Sequence, residues 1–339
     1  METAKIITEL CSMAGPSGFE DSVALRAKEM LEEYMDEVSI DVMGNVIGVK
    51  KCGKENAPKL MFDAHIDEIG FIVTGIEEGF LKIATIGGVD PRMMPACEIM
   101  LMTEPPIYGI VGTMPPHVLT PKEQEEAVKI EDMYVDIGLS QEEAEKAVPL
   151  GTPGVYKTGA VEFGENLICG KTLDDRACFA CLVRAAELLK DAELNVDLYI
   201  MGSTQEEVGL RGATTGAFSV YPDYAIAVDV CHAKTPDCKT WHTMDIGGGA
   251  AIAIGPNMNR AFVKKITGVA DEKGLKYQME VAPGGQSGTN TTVIQTTREG
   301  VCTALLSLPL KYMHTPVEVI SLEDAEATAQ ILAEVAKSM

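Results

Sequence analysis

The sequence predicts a mixed α/β fold, in which helices sandwich a mainly parallel sheet and a small β-rich domain is inserted into the larger one. Two observations support this fold class. From residue 170 onward, apolar strand-like runs alternate with segments of helical periodicity, which is typical of parallel sheets. Between residues 70 and 164, short β-type runs punctuated by Gly and Pro replace that alternation, and only SQEEAEKAV has a helical pattern. We therefore predict a main domain of residues 1–69 and 165–339 and an inserted domain of residues 70–164.

The first part of the main domain begins with helices and ends in a strand. Helical periodicity predicts helices over residues 3–12 and 20–35, with turn and capping residues between them. The runs VSIDVMG and NVIGVKK predict two strands joined near Gly44. KLMFDAHIDEIG then predicts a short apolar strand that ends in charged residues.

The second part of the main domain alternates helices and strands. A helix over residues 176–190 precedes the strand VDLYIMGS, and LRGATTGAFSV precedes the strand YAIAVDV. A helix over residues 260–273 precedes the short strand KYQMEV, and TALLSLPL precedes a final helix over residues 321–337. At the start of that last helix, Ser321 with Asp324 resembles a capping box.

Composition excludes several classes of function. The 339-residue chain has a formal net charge of -23, so nucleic acid and anionic membranes are expected to repel it. No apolar run reaches the roughly 18 residues of a membrane span. We see no signal peptide, and the nine scattered cysteines are expected to be reduced thiols of a cytoplasmic protein. Cys178 and Cys181 form a CxxC inside a helical pattern, which favours core packing over redox or zinc chemistry.

Side chains that bind metals collect where the predicted strands end. The carboxyl ends of strands in open α/β sheets are the usual place for ligands. A chance arrangement of this kind at four strand ends and one helix start is improbable. In chain order, these residues are His65, Asp67, Asp174, Asp175, Glu206, Glu207, Asp229 and His314.

Two histidines with several carboxylates suit zinc, cobalt or manganese better than calcium. Such a set can hold two divalent ions that share a bridging carboxylate and a bridging water. Glu206 and Glu207 are adjacent, so their side chains diverge and cannot serve one metal in the same way. We expect one of them to bind metal and the other to act as general base. Asp67 follows His65 by two residues and is expected to orient its imidazole.

The remaining histidines are weaker candidates. His117 lies in PPH, in a loop of the predicted insert, and is interpreted as structural or distant from the site. His232 and His242 are near Asp229 and could line a substrate pocket, although roles on the polar surface are favoured.

Several stretches match a known family. They run from AGPSGFED near the start of the chain to YMHTPVEV near its end. The others are AHIDEIG, IGGVDPR, PPHVLTPKEQEEAVKIEDMYVDIG, GKTLDDRA, STQEEVGLRGA and AVDV. Together they resemble the tetrahedral aminopeptidases, dinuclear-metal exopeptidases that are often labelled glutamyl aminopeptidase or endoglucanase M. The resemblance implies a zinc-exopeptidase-like catalytic domain interrupted by a β-rich dimerisation domain.

The resemblance also implies two Zn²⁺ or Co²⁺ ions per subunit. His65 and Asp229 are expected on one ion and Glu207 and His314 on the other, with Asp174 bridging the two.

The same resemblance makes Glu206 the catalytic base and Asp67 the residue that orients the first histidine, while Asp175 is the weaker choice of ligand. Members of the family form twelve-subunit tetrahedra built from dimers, whose inner chamber admits only small peptides. In one place the chain departs from the family pattern. Relatives usually carry GTDA where this chain has Asn290 in GTNT, and we expect this change to alter the substrate pocket or the chamber wall.

These observations predict a cytoplasmic metal-dependent aminopeptidase that removes N-terminal residues from short peptides, using a water bridged by two metal ions. Two alternatives remain open at this point. A glycoside hydrolase also uses paired carboxylates, but these must flank a sugar ring roughly 5–9.5 Å apart, which adjacent glutamates do not suit. The second alternative is a non-catalytic metal-binding protein. The motifs leave the preferred N-terminal residue and the native metal open.

Overall fold

The strands and helices are described from a computed structural model, which covers residues 3–238, 243–282 and 288–339. The strands are β1 Glu37–Ile40, β2 Val46–Lys50, β3 Lys59–His65, β4 Gly70–Glu77, β5 Phe80–Ile86, β6 Glu98–Leu101, β7 Ile107–Val111, β8 Val135–Asp136, β9 Pro153–Tyr156, β10 Val161–Phe163, β11 Leu167–Gly170, β12 Asp197–Ser203, β13 Tyr224–His232, β14 Ala250–Ile254, β15 Tyr277–Val281, β16 Cys302–Leu310 and β17 Glu318–Ser321. The helices are α1 Thr3–Ser12, α2 Asp21–Glu32, α3 Pro121–Glu125, α4 Gln141–Ala147, α5 Leu173–Leu188, α6 Arg211–Val220, α7 Arg260–Lys273, α8 Thr291–Gln295 and α9 Leu322–Ser338.

The main sheet has eight strands in the order β1-β2-β12-β3-β13-β16-β14-β15. Its centre is parallel, because β12, β3, β13 and β16 all run in one direction. The pairings β1 with β2, β2 with β12, and β14 with β16 are antiparallel. The apolar run of β3 is buried beyond its first residue, as expected for a strand covered on both faces. The predicted mixed and mainly parallel sheet is therefore confirmed.

Helices cover this sheet and complete the core. Helix α5 packs on β3 and β13 and contacts α1 and α9, whereas α6 packs on β12 and contacts α8. Cys178 and Cys181 lie fully buried within the core on α5, as predicted. Helix α7 has the predicted bounds, since the Asn259 side chain accepts hydrogen bonds from the first-turn N–H groups and Gly274 ends the helix in the left-handed region.

Three details differ from the predictions. Helix α5 begins three residues earlier than predicted, and Asp174 and Asp175 at its start have non-helical backbone angles. Strands β11, β14 and β17 were not predicted. The capping box at Ser321 does not form: its hydroxyl accepts from Glu323 N, whereas the Asp324 carboxylate accepts from two glycine N–H groups of a neighbouring loop, each at 2.7 Å.

The inserted domain is a closed six-stranded barrel, β4-β5-β8-β7-β6-β9, whose strands lie between Gly70 and Tyr156. Its interior is apolar and includes Phe71, Leu81 and Ile99. Besides the predicted helix at SQEEAEKAV, it contains the short helix α3. Strand β10 lies outside the barrel, because it pairs with β11, which in turn pairs with β17. The domain limits at residues 70 and 164 stay a prediction.

Among the described residues, none of the helices combines the length and the apolar composition that a membrane span requires.

Candidate metal centre

The predicted site residues meet at one edge of the main sheet. Strand β3 ends at His65, directly beside Ser203 at the end of β12, and Glu206 and Glu207 follow in the next turn. His314 comes four residues after β16 and has a positive φ of 61°. Asp229 was expected at a strand end but lies inside β13, because that strand continues to residue 232.

The carboxylate of Asp174 lies between two imidazoles. Its Oδ1 is 3.1 Å from His65 Nε2, and its Oδ2 is 3.4 Å from His314 Nε2. Each oxygen therefore faces a different histidine, which is the arrangement expected of a carboxylate shared by two ions.

Both histidines present Nε2 to Asp174 because their other ring nitrogens are engaged. His65 Nδ1 lies 3.2 Å from the Asp67 carbonyl oxygen and 3.4 Å from its carboxylate, and His314 Nδ1 lies 2.9 Å from the Gly88 carbonyl oxygen. An Nδ1–H that donates to an oxygen leaves Nε2 free to bind a metal. Gly88 is required here, since a Cβ at that position would lie 2.8 Å from His314 Nδ1.

Glu206 and Glu207 occupy different positions in the site. In the part of the chain that the structure describes, two sets of donor atoms lie close enough to hold an ion, with all atoms of a set within 4.8 Å of one another. One combines His65, Asp174 and Glu207, and the other combines His65, Asp175 and Asp229. Glu207 Oε1 is also 3.4 Å from His314 Nε2. Glu206 belongs to neither set and has its Oε2 3.9 Å from His65 Nε2.

Asp175 enters a donor set although the sequence ranks it as the weaker ligand. Its Oδ2 accepts a hydrogen bond from the backbone N–H of His65 at 3.2 Å. Its Oδ1 is fully buried and has no hydrogen-bond partner among the described residues.

The pKa values of the acids in the cluster shift in opposite directions. Burial raises the pKa of Glu206 to about 8; His65 opposes this shift and Glu207 adds to it. Burial also raises the pKa of Glu207 to about 8, with repulsion from Asp174 as the next cause. Although burial acts in the opposite direction, hydrogen bonds from His314 and His65 lower the pKa of Asp174. Divalent cations among these groups would favour the ionised carboxylates, so the imidazole and carboxylate donors fit a divalent metal centre.

Asp67 contacts more than His65. Its Oδ1 accepts from the backbone N–H of Glu206 at 3.0 Å, and its Oδ2 accepts from that of Glu207 at 3.2 Å. One fully buried carboxylate thus holds both a histidine and the turn that carries the two glutamates.

Comparison with known proteins places the chain in a family. The M42 glutamyl aminopeptidase family model matches residues 44–331. The chain belongs to the M42 glutamyl aminopeptidase family. The lysyl aminopeptidase of Pyrococcus furiosus is 37% identical over 336 residues, covering 96% of this chain and 94% of the relative. This M42 member is a metallo-aminopeptidase, which decides against the glycoside hydrolase and the non-catalytic protein.

Solved structures of aminopeptidases and peptidases share the whole fold. An aminopeptidase from Desulfurococcus kamchatkensis superimposes with a TM-score of 0.92 at 32% identity, covering 99% of this chain and 95% of that one. The TET1 peptidase of Pyrococcus horikoshii, described as assembling into a tetrahedron or a large octahedral shell, gives a TM-score of 0.87 at 28% identity, covering 99% of this chain and 100% of that one.

Two buried acids next to the centre of this M42 aminopeptidase were not predicted from the sequence. Glu318 accepts from the backbone N–H groups of His314 and Asp174, and Glu20 accepts from that of Gln205. Glu318 interrupts an apolar run, and a charged residue in such a run is the signal that could have identified it.

Asn290 does not reach the surface of the site. It is 2% exposed, and its amide nitrogen donates to Asp63 Oδ2 at 2.8 Å and to Ser203 Oγ at 2.9 Å. The departure from the family pattern therefore affects a buried contact between β3 and β12, where a pocket or chamber wall was expected.

Two of the other histidines, His117 and His232, take no part in these contacts. His117 is exposed in a short turn of the insert, and His232 is exposed at the end of β13. His242 lies outside the described residues.

Proposed function

We propose that the chain hydrolyses the N-terminal residue from short peptides with two divalent ions, Zn²⁺ or Co²⁺, held at this centre. The observation that carries the proposal is the Asp174 carboxylate, whose two oxygens face two different imidazoles at 3.1 and 3.4 Å. The proposed ligands are His65, Asp174, Glu207, Asp229 and His314.

When bound, two such ions lower the pKa of a water molecule, polarise the scissile carbonyl and stabilise the oxyanion. Glu206 supplies the proton transfer: its carboxylate accepts a proton from the attacking water and then donates it to the leaving amine. This role suits Glu206 because its carboxylate belongs to neither donor set and has its Oε2 3.9 Å from His65 Nε2. His314 also belongs to neither set, but it is a proposed ligand because its Nε2 is 3.4 Å from both Asp174 and Glu207. Asp67 fixes the turn that aims Glu206 and keeps the His65 Nε2 atom directed at the centre.

The choice of Glu207 over Glu206 as ligand follows from distance. Glu207 is in a donor set with His65 and Asp174 and also approaches His314. Asp175 is not among the proposed ligands because the family pattern makes it the weaker choice; its Oδ2 accepts the His65 N–H.

We also propose that the subunits form a tetrahedral dodecamer through dimers made by the barrel. The dodecamer structure of a relative, at 28% identity over the full length of both chains, supports this arrangement. All nine cysteines are free thiols, which suits a cytoplasmic location.

The test is hydrolysis of a panel of aminoacyl p-nitroanilides with acidic, basic and apolar residues. Chelation should abolish turnover, and Zn²⁺ or Co²⁺ should restore it. Glu206→Gln should lower kcat by about 10²–10⁴-fold while the protein still binds Co²⁺, because it removes the proton acceptor and leaves the ligands intact.

Glu207→Gln is the matched comparison, since it changes the neighbouring residue in the same way. It should weaken Co²⁺ binding as well as turnover. Full activity in Glu206→Gln with metal bound would show that another group is the base.

A further inference from the structure

Apart from Asp175, three carboxylates among the described residues that are not proposed ligands accept backbone N–H groups from the segments that carry the ligands. Asp67 is one of them and has been described above. The other two, Glu20 and Glu318, come from opposite ends of the chain, and their side chains are buried, with residue exposures of 6% and 2%. Burying a carboxylate is costly unless hydrogen bonds satisfy it, so the bonds that each one accepts indicate what it does.

Glu318 joins two ligands that are distant in sequence. Its Oε1 accepts from the His314 N–H at 2.9 Å, and its Oε2 accepts from the Asp174 N–H at 3.1 Å. Each oxygen therefore serves one ligand-bearing segment, and the rigid carboxylate fixes the distance between the two backbones.

Glu20 holds the turn that carries the glutamate pair. Its Oε1 accepts both from Gly18 N at 2.8 Å and from Gln205 N at 3.0 Å. Gln205 has a positive φ of 55°, and Asp67 accepts the next two N–H groups along the chain. Three successive N–H groups of this turn thus end on two buried carboxylates, which fixes its shape.

From these contacts we propose that Glu318 and Glu20 are positioning residues of the metal centre, and that they differ in what they require. Glu318 needs two acceptor oxygens, because each one holds a different segment. Glu20 needs only one acceptor, because a single oxygen takes both bonds. The inference rests on the metal site proposed above and concerns how the segments that carry its ligands are held in position.

Substitution by glutamine should therefore have different effects at positions 318 and 20. A glutamine at position 318 keeps one acceptor but turns an NH₂ donor towards the second N–H, so one segment loses its anchor. A glutamine at position 20 keeps the acceptor that Gly18 and Gln205 use, and it removes the charge repulsion between Glu20 and Asp67.

The experiment titrates Co²⁺ into the metal-free full-length chain and follows the visible absorption of the bound ion, with kcat and KM measured on the best p-nitroanilide. Glu318→Gln should weaken Co²⁺ binding by about 10- to 100-fold and change the absorption band, as expected when the support of a ligand is lost. Glu20→Ala should mainly lower kcat, with a smaller loss of Co²⁺ binding, because the turn that carries Glu206 and Glu207 loses an anchor. Glu20→Gln should bind and turn over like the wild-type chain.

Two exposed acids serve as controls. Asp21→Ala removes the acid next to Glu20, and Glu323→Gln changes an exposed glutamate five residues after Glu318. Both should leave binding and turnover unchanged.

Wild-type Co²⁺ binding by Glu318→Gln, or equal losses in Glu20→Ala and Glu20→Gln, would overturn the proposal. Should Glu318→Gln lose its cooperative thermal transition, the two Glu20 variants decide the question alone. Failure of the wild-type chain itself to bind Co²⁺ would refute the proposed function instead, so the two failures are distinguishable.

Discussion

Asp63 and Asn290 form a buried pair near the candidate metal centre, since Asp63 precedes His65 by two residues on β3. Asp63 is fully buried, and burial raises its pKa to about 6. The Asn290 amide supplies one of its hydrogen bonds. An aspartate at position 290, as in the family pattern, would place two acids in contact, whereas the asparagine donates a hydrogen bond to Asp63.

Asn290→Asp should destabilise the chain. Replacing the amide donor by a second acid breaks the bond to Asp63 and should cost about 1–3 kcal/mol, the penalty for a buried polar group without a partner. The measurement is thermal unfolding of the metal-free protein at pH 7.

The exchange variant Asp63→Asn with Asn290→Asp is the control. It places an amide opposite a carboxylate again and should recover most of the lost stability. A double variant no more stable than Asn290→Asp alone would argue against the pairing.

Much of the site could be predicted from sequence because parallel strands bring their carboxyl ends together. His65 at the end of β3 and Glu206 and Glu207 after β12 follow from that rule. The supporting contacts of Glu318 and Glu20 could not be predicted from the sequence, because they join segments far apart in the chain. They also involve backbone N–H groups, which carry no sequence signal. Asp229 was predicted as a site residue although its strand continues beyond it.

At the scale of elements, a buried charge cluster joins α1, α5 and the end of β3. The Arg176 guanidinium donates to the carbonyls of Leu10 and Ile66 and lies 3.2 Å from Glu68. Lys171 Nζ is 2.6 Å from the same carboxylate. One buried acid therefore faces two buried cations, and it holds the N-terminal segment against the strand that carries His65.

Glu68→Gln should be strongly destabilising. It leaves Lys171 and Arg176 buried without a counter-charge, a loss of about 3–5 kcal/mol by comparison with broken buried ion pairs. The measurement is the free energy of unfolding in urea.

Glu9→Gln is the matched control, because Glu9 pairs with Arg26 at 2.6 Å with both side chains partly exposed, at 42% and 32%. Its loss should be about 0–1 kcal/mol. Similar losses in the two variants would contradict a special role for the buried cluster.

Most elements of the main domain could be predicted, because their periodicity and capping residues are local signals, as in α7. Pairing between strands is not local. The barrel has the strand order β4-β5-β8-β7-β6-β9, and β10 belongs to another sheet. Both features depend on contacts between distant segments, which the sequence of a single strand does not reveal. Strand β14 is a short Ala- and Ile-rich run after glycines, which carries little alternation.

At the scale of the whole molecule, we expect assembly to depend on salt. Each chain carries a formal net charge of -23, so repulsion between subunits opposes association at low ionic strength. At 0.1 M salt, charges more than about 10 Å apart are largely screened. Light scattering should show a particle of twelve 36.3 kDa chains that becomes more stable to dilution as salt rises. A monomer at every salt concentration would refute the proposed assembly.

The hydrogen bond between His314 and Gly88 connects the inserted domain to the main domain at the candidate site. Gly88 lies in the loop between β5 and β6, so the insert contributes directly to the orientation of a proposed ligand. The barrel is consequently not an exchangeable module. A chimaera of this sheet with another relative's barrel would keep the imidazole in place only if the incoming loop offered a carbonyl at the same point and no side chain beside it.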